Sequence, residues 1–270
     1  MKYESPNNLL ELLDGVVKAA AQTRFYRSRL NNKNQVRSIE EFRNLPLVSI
    51  TDLRNQNFTD TIVDQESLQW IVGSNRPRDR YSLPIAENST VTATRYDLFC
   101  DALKDHWDLT RVDFAVIVTS KKRLYYAAEI STILGYIGIP AHVFTETEES
   151  KVYKQLRLLE TSLLIVLTND FDEKHAEAIG IPTVTFRLSH RLKKSSQIDL
   201  YTVDELGFLG HSRDLNYWTI YNDQYLYEQS GSGSLVVTAL YNKIQPLLRI
   251  DTVDVVKELG QYGMKLDRLK

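Results

Sequence analysis

The strongest constraint on the fold is an alternation that starts after Arg111. FAVIVTS, from Phe114 to Ser120, is an unbroken apolar run rich in β-branched residues. Such a run suits a strand buried on both faces, and both faces are buried only when helices cover a parallel sheet. A helix-period stretch from Leu124 to Ile137 follows, and Gly138 and Pro140 end it before the short strand AHVF. A second helix from Ser150 to Leu159, the strand LLIVLT (Leu163 to Thr168), a helix around Glu173 to Ile179 and PTVTF (Pro182 to Phe186) repeat the pattern. The middle of the chain therefore predicts βαβ units and a mostly parallel sheet.

The flanks read differently. Leu9, Leu12, Leu13, Val16, Val17 and Ala20 recur at helical spacing, which predicts one amphipathic helix from Asn8 to Leu30 with Ser5-Pro6 as its start signal. In SIEEFRNLPLVSITDLRNQ, Ser38 and Glu41 have capping-box spacing, and Ser49 or Thr51 opens another short helix beyond a Leu-Pro turn. After Leu192 the segments YWTIY, QYLYEQ, SLVVTAL, PLLRID and VVKEL predict short strands, with Gly231-Ser232-Gly233 as a tight turn. No repeat or long linker interrupts this. We expect an α/β fold in one continuous domain over residues 1–270: a helical lead-in at 1–60, the βαβ sheet at 111–188 and a β-rich part at 199–260.

Composition excludes several function classes. Of the 270 residues, 43% are hydrophobic and 25% charged, enough apolar material for a sizeable core. Lys+Arg 33 against Asp+Glu 35 gives a net charge of -2, without the basic field that holds nucleic acid. No apolar run approaches the ~20 residues of a membrane helix, and the polar N-terminus lacks a leader pattern. We expect a cytoplasmic protein with neither nucleic-acid nor membrane partners. His106, His142, His175, His190 and His211 are scattered, away from zinc-site spacing, and no G-x-S-x-G elbow anchors a hydrolase triad. Cys100 lies among Leu98, Phe99 and Leu103 and reads as a buried thiol. Lys121 and Lys122 follow a parallel strand and open a helix, the edge where α/β sheets bind ligands, so they are candidates for holding an anion. RPRDR, with Arg76, Arg78 and Arg80, and HRLKK, from His190 to Lys194, read as solvated loops.

FYRSRL, LPLVSITDLR, SLPIAENS, YTVDELGF and GSLVVTALYNKIQPLLRIDTVD occur in this order along the chain. The series resembles the phenylacetate-CoA ligase branch of the adenylate-forming superfamily, in which the matching segments look like FYRERL, LPLTTKEDLR, SSGTTGKP, YGLTEVGG and GELVLTTL...PLIRYRTGD. YWTIYNDQYLYE is likewise similar to HIWEDHFYPE. The resemblance runs weakly along most of the chain and is most specific in the last segment. It implies the large N-terminal domain of such enzymes, without the mobile C-terminal domain, which would lie beyond Lys270.

The resemblance also implies roles. Asp254 would hold the ribose hydroxyls of ATP or AMP, since a carboxylate accepts two hydrogen bonds from a vicinal diol. Glu205 would be the catalytic carboxylate near magnesium, a hard oxygen ligand for a hard cation. Tyr201 would lie beside adenine and Arg249 would complete the nucleotide contacts, unless it pairs with Asp251 or Asp254. Against this, SLPIAENS has neither the glycines nor the lysine of a phosphate-cradling loop, and Glu87 would repel a triphosphate. Val253 replaces the glycine of TGD, where a positive φ is costly for a β-branched residue. Three functions follow from this mixture. The chain is a ligand-binding or accessory homologue that does not adenylate alone; or an enzyme that activates a carboxylic acid or processes an acyl-adenylate or acyl-thioester; or a structural subunit. Implied partners are those acyl ligands, a second copy, a full-length ligase or a carrier protein.

Overall fold

The computed structural model describes residues 6–66, 68–72, 84–105, 108–121, 124–145, 149–167, 180–187, 198–203, 205–212 and 216–268. In chain order its elements begin with α1 (Leu9–Gln22), α2 (Arg24–Arg29), α3 (Ile39–Arg43), β1 (Val48–Ser49), α4 (Ile50–Arg54) and α5 (Phe58–Thr61). Next come β2 (Trp70–Val72), β3 (Ile85–Glu87), α6 (Ser89–Lys104), β4 (Ala115–Val118), α7 (Leu124–Tyr136), β5 (Ala141–Phe144), α8 (Glu149–Leu158), β6 (Leu163–Val166) and β7 (Thr183–Arg187). The C-terminal part contributes β8 (Ile198–Val203), β9 (Gly207–Ser212), β10 (Trp218–Ile220), β11 (Tyr225–Gln229), β12 (Ser234–Ala239), β13 (Ile250–Leu259) and β14 (Gly263–Arg268). Two compact units result. One comprises Met1–Arg95, Val203–Leu209 and Trp218–Lys270, and the other Tyr96–Thr202 and Gly210–Tyr217.

The second unit is the predicted parallel sheet, in the order β5-β4-β6-β7-β8. Every residue of β4 and β6 is buried, as their unbroken apolar runs require. Val116, Val118, Leu164 and Val166 form a core with Val152 and Leu156, which α8 presents at i and i+4. Gly138 ends α7 with a φ of 83°, and the Ile139 N–H closes the turn on the Leu134 carbonyl at 2.9 Å. The expected helix around Glu173 to Ile179 lies outside the described residues.

The first unit joins the N-terminal helices to an antiparallel sheet ordered β11-β12-β13-β14-β10, with β1 added parallel to β13. The Ser38 cap forms as predicted, with Ser38 Oγ accepting the Glu41 N–H at 3.0 Å, while the Glu41 carboxylate reaches one residue further back than in a capping box and accepts the Arg37 N–H at 2.7 Å. Ser49 caps α4 in the same way, through the Asp52 N–H at 2.9 Å.

Three expectations need correction. The helix predicted from Asn8 to Leu30 is two helices, because Thr23 adopts an extended backbone (φ -76°, ψ 149°) and caps α2 with its hydroxyl. Thr23 Oγ1 accepts the Tyr26 N–H at 3.2 Å and donates to the Ala20 carbonyl at 2.8 Å, so helical periodicity continues across a break it cannot register. PLLRID and VVKEL, read as two strands, are one strand preceded by irregular backbone, and β13 starts only at Ile250. That strand is bulged: Ser234 pairs with Val255 and Val236 with Asp251, so two steps along β12 correspond to four along β13. The reading also omitted β8, β9 and β14, although the alternation of buried Met264 and Leu266 with exposed Lys265 is a strand signal.

Candidate functional site

Glu205 sits in the turn between β8 and β9 and is 2% exposed. Arg54, the last residue of α4, grips it with both arms: Nε reaches Oε1 at 2.6 Å and Nη2 reaches Oε2 at 3.1 Å. The turn itself is pinned. The Leu206 carbonyl accepts the Tyr225 hydroxyl at 2.6 Å, and the Tyr225 and Tyr241 hydroxyls lie 3.0 Å apart. Burial pushes the Tyr225 phenol well above its ordinary pKa, so it stays a neutral donor. Gly207 completes the turn at φ 83°, a conformation that favours glycine, and a Cβ there would stand 3.4 Å from Arg95 Nε. Glu205 is therefore a fixed, paired carboxylate. A divalent cation brought to the same oxygens would meet a guanidinium already bound there.

Arg249 is the second buried charge. It pairs with neither Asp251 nor Asp254, as its sequence neighbours suggested, but with Glu228 on β11, through Nε at 3.1 Å and Nη2 at 3.3 Å. Its remaining donor, Nη1, holds the carbonyls of Arg43 and Leu45. Arg249 thus clamps the Leu45-Pro46-Leu47 turn onto the sheet, and its own carbonyl accepts the Val48 N–H at 3.0 Å.

Asp254 lies within the bulged stretch of β13, between Asp251 and Val255, and is 5% exposed. Val253 before it takes a left-handed φ of 64°, with its N–H accepted by Asp251 Oδ1 at 2.9 Å. The glycine-type conformation of the turn is thus kept by a β-branched residue. Thr252 steadies the bulge by donating to the Leu235 carbonyl at 3.1 Å.

The segment aligned with a phosphate loop is described from Pro84 onward. Ile85 to Glu87 form β3, which pairs antiparallel with β2. The Ala86 N–H donates to Gln245 Oε1 at 2.9 Å, while Gln245 Nε2 donates to Thr61 Oγ1 and the Pro84 carbonyl, both at 3.1 Å. The Ser89 N–H goes to Gln69 Oε1 at 2.9 Å. Glu87 is 2% exposed and pairs with Arg95, which is 5% exposed, while Thr92 donates to its other oxygen at 2.8 Å. The Ala86 and Ser89 amides of this segment are thus engaged by side-chain amide oxygens of the protein.

Glu205, Arg249 and Asp254 all belong to the first unit. Tyr201 belongs to the second, buried on β8 opposite Arg187 in the parallel register. Lys121 is exposed beyond the end of β4, where the sheet-edge argument put it, and Lys122, Arg76, Arg78 and Arg80 lie outside the described residues. Arg54, Arg95, Glu228 and Gln245 were not singled out from sequence. Arg54 lies 151 positions from Glu205 and Gln245 lies 159 from Ala86, separations at which no spacing rule operates. Among the described residues no three or more His, Cys, Asp or Glu side chains gather to hold a metal ion, and no helix is long and apolar enough to cross a membrane.

No protein-family model and no curated protein matches the chain. Solved structures do. The amide bond synthetase McbA from Marinactinospora thermotolerans is similar at 13% identity with a TM-score of 0.53, over 76% of this chain and 50% of that one. The luciferase-like enzyme from the nonluminescent mealworm Zophobas morio is similar at 10% identity with a TM-score of 0.51, over 78% of this chain and 60% of that one. The chain spans about half the length of McbA. At such identities the likeness is one of backbone architecture: the chain has a mixed α/β fold, with a parallel sheet and a β-rich C-terminal part, similar to that of McbA and the luciferase-like enzyme.

Proposed function

We propose that this is an adenylate-forming homologue of the phenylacetate-CoA ligase-like branch that does not adenylate a carboxylic acid by itself, and that it serves as a ligand-binding or accessory protein in a biosynthetic pathway. The observation that carries this reading is the bidentate Arg54–Glu205 pair. Activation of a carboxylate by ATP depends on positioning the triphosphate and neutralising its charge. In this chain the carboxylate expected to face magnesium is already neutralised by a guanidinium. The residues here do not fit a magnesium ion at Glu205. Glu87 supports the same reading, because its charge and its pair with Arg95 occupy the segment where phosphate donors are expected.

The accessory role implies an acyl ligand, an acyl-adenylate or acyl-thioester made elsewhere, or a partner ligase or carrier protein. The test is pyrophosphate exchange with magnesium-ATP across a panel of aliphatic and aromatic carboxylic acids. The expected result is no exchange above a no-protein control. Exchange that disappears in Glu205→Ala overturns the reading.

One observation favours a second reading, in which a nucleotide is still held. Val253 keeps the left-handed conformation of the ribose turn at a cost in backbone energy, and strain of that kind persists where function requires it. In this reading Asp254 binds the ribose hydroxyls. Calorimetric titration with AMP and with magnesium-ATP, repeated on Asp254→Ala, decides it. Saturable heat lost in the variant supports a surviving nucleotide site, and no heat from the folded protein removes it.

A further inference from the structure

We infer that the outer edge of β5 pairs with the same strand of a second copy of this chain, antiparallel about a two-fold axis at Val143, so that the parallel sheet of the second unit continues through a homodimer. The inference is independent of the non-adenylating reading.

β5 closes one side of that sheet, and among the described residues no strand pairs with its outer side. The Pro140 and Phe144 carbonyls accept the Ala115 and Thr119 N–H groups, at either end of β4, at 3.0 and 2.8 Å, so both carbonyls point inward. Successive peptide groups of a strand point to opposite sides, which turns the N–H and C=O of Ala141 and Val143 outward. An edge of this kind templates another strand unless charge, proline or a bulge blunts it. β5 is short and follows Pro140, but AHVF itself has no Lys, Arg, Asp, Glu or proline, and its register with β4 runs without a shift. Self-complementarity selects a second copy as the occupant. With Val143 opposite itself, its outward N–H and C=O bond their symmetry mates, and His142 of each copy stands opposite Phe144 of the other. Those two rings already meet edge-to-face within the strand, with centroids 4.5 Å apart, and aromatic cross-strand pairs stabilise a sheet. The paired strands bring no like charges opposite each other. α7 packs on β5, and its described exposed residues, Leu124, Ala128, Thr132, Gly135 and Tyr136, are uncharged. Leu124 is 47% and Tyr136 68% exposed, on a helix whose apolar composition suits cover on every side. A two-fold axis normal to the sheet places both copies of α7 on the same face of the continuous sheet.

The experiment is sedimentation equilibrium of the full chain. At about 100 μM, above the micromolar Kd of weak interfaces of standard size, the wild type should have twice the 31.2 kDa mass of one chain. Val143→Pro removes an outward N–H and no bond to β4, so it should fold, keep its thermal transition and stay monomeric at that concentration. His142→Asp changes an exposed side chain and should raise the dimer Kd about tenfold, because both symmetry-related aromatic pairs are lost. A wild type that is monomeric at that concentration overturns the inference and leaves the edge to a different chain. A dimer that survives in folded Val143→Pro overturns it as well. If Val143→Pro does not fold, His142→Asp decides, and an unchanged dimer Kd in that variant overturns the inference.

Discussion

Replacing Val253 by glycine and by alanine should invert the usual ranking of those residues in a strand. At an ordinary strand position alanine is better than glycine by roughly 0.5–1 kcal/mol, because glycine loses more backbone freedom on folding. Val253 is not ordinary, since its φ is 64°. A Cβ in the left-handed region costs about 1–2 kcal/mol, a penalty glycine escapes and alanine keeps. The difference leaves glycine ahead of alanine by about 0.5–1 kcal/mol, or about 1–4 °C in Tm for a chain of this size. Against valine itself the effects nearly cancel. Val253 is 41% exposed, so truncation to glycine loses about 1 kcal/mol of apolar burial, which offsets much of the relieved strain. The ranking of the two variants is therefore the decisive quantity. Urea unfolding of both, with the same pair at Val255 as control, measures it. Val255 is in the same strand without a left-handed φ, and alanine should lead there. If alanine matches or exceeds glycine at 253, the left-handed assignment and the account of the bulge fail together.

Arg249→Met should destabilise the first unit by about 3–5 kcal/mol, because it leaves Glu228 charged and 9% exposed with its buried partner gone. Adding Glu228→Gln should recover a substantial part of that loss, and a double-mutant cycle in urea that shows simple additivity would refute the pairing. Burial pushes the Cys100 thiol up to about 11, so in the folded protein at pH 8 it should react with a thiol reagent far more slowly than after unfolding. Equal rates in the two states would contradict its place in the core of α6.

The sequence by itself determined the elements whose physical cause is local. Apolar β-branched runs at Phe114 to Ser120 and Leu163 to Thr168 can be buried only as covered parallel strands, and β4 and β6 are those strands. Ser38 with Glu41, Ser49 before α4 and the Gly231-Ser232-Gly233 turn act within four residues, so side-chain chemistry alone reveals them. Segment order carried the resemblance from which a parallel sheet followed by a β-rich part was expected, and the fold has both. The cost of a left-handed backbone at Val253 was also legible, because it follows from the Cβ of one residue.

Only tertiary structure decided which charges are paired. Glu205 reads as a carboxylate near magnesium, Glu87 as a charge that would repel a triphosphate and Arg249 as a nucleotide contact or a partner of Asp251 or Asp254, and they are folded against Arg54, Arg95 and Glu228 respectively. Arg249 shows why the sequence misleads here. Asp251 and Asp254 are nearest along the chain, but Arg249 stands just before β13 with a left-handed φ of 49°, and the partner its side chain reaches lies on β11, 21 residues away. The break at Thr23 is local, made by its hydroxyl on Tyr26 and Ala20, but it is hidden from the apolar pattern because helical periodicity survives a change of axis. What a carboxylate can do depends on what neutralises it, and in this chain that neighbour is supplied by folding.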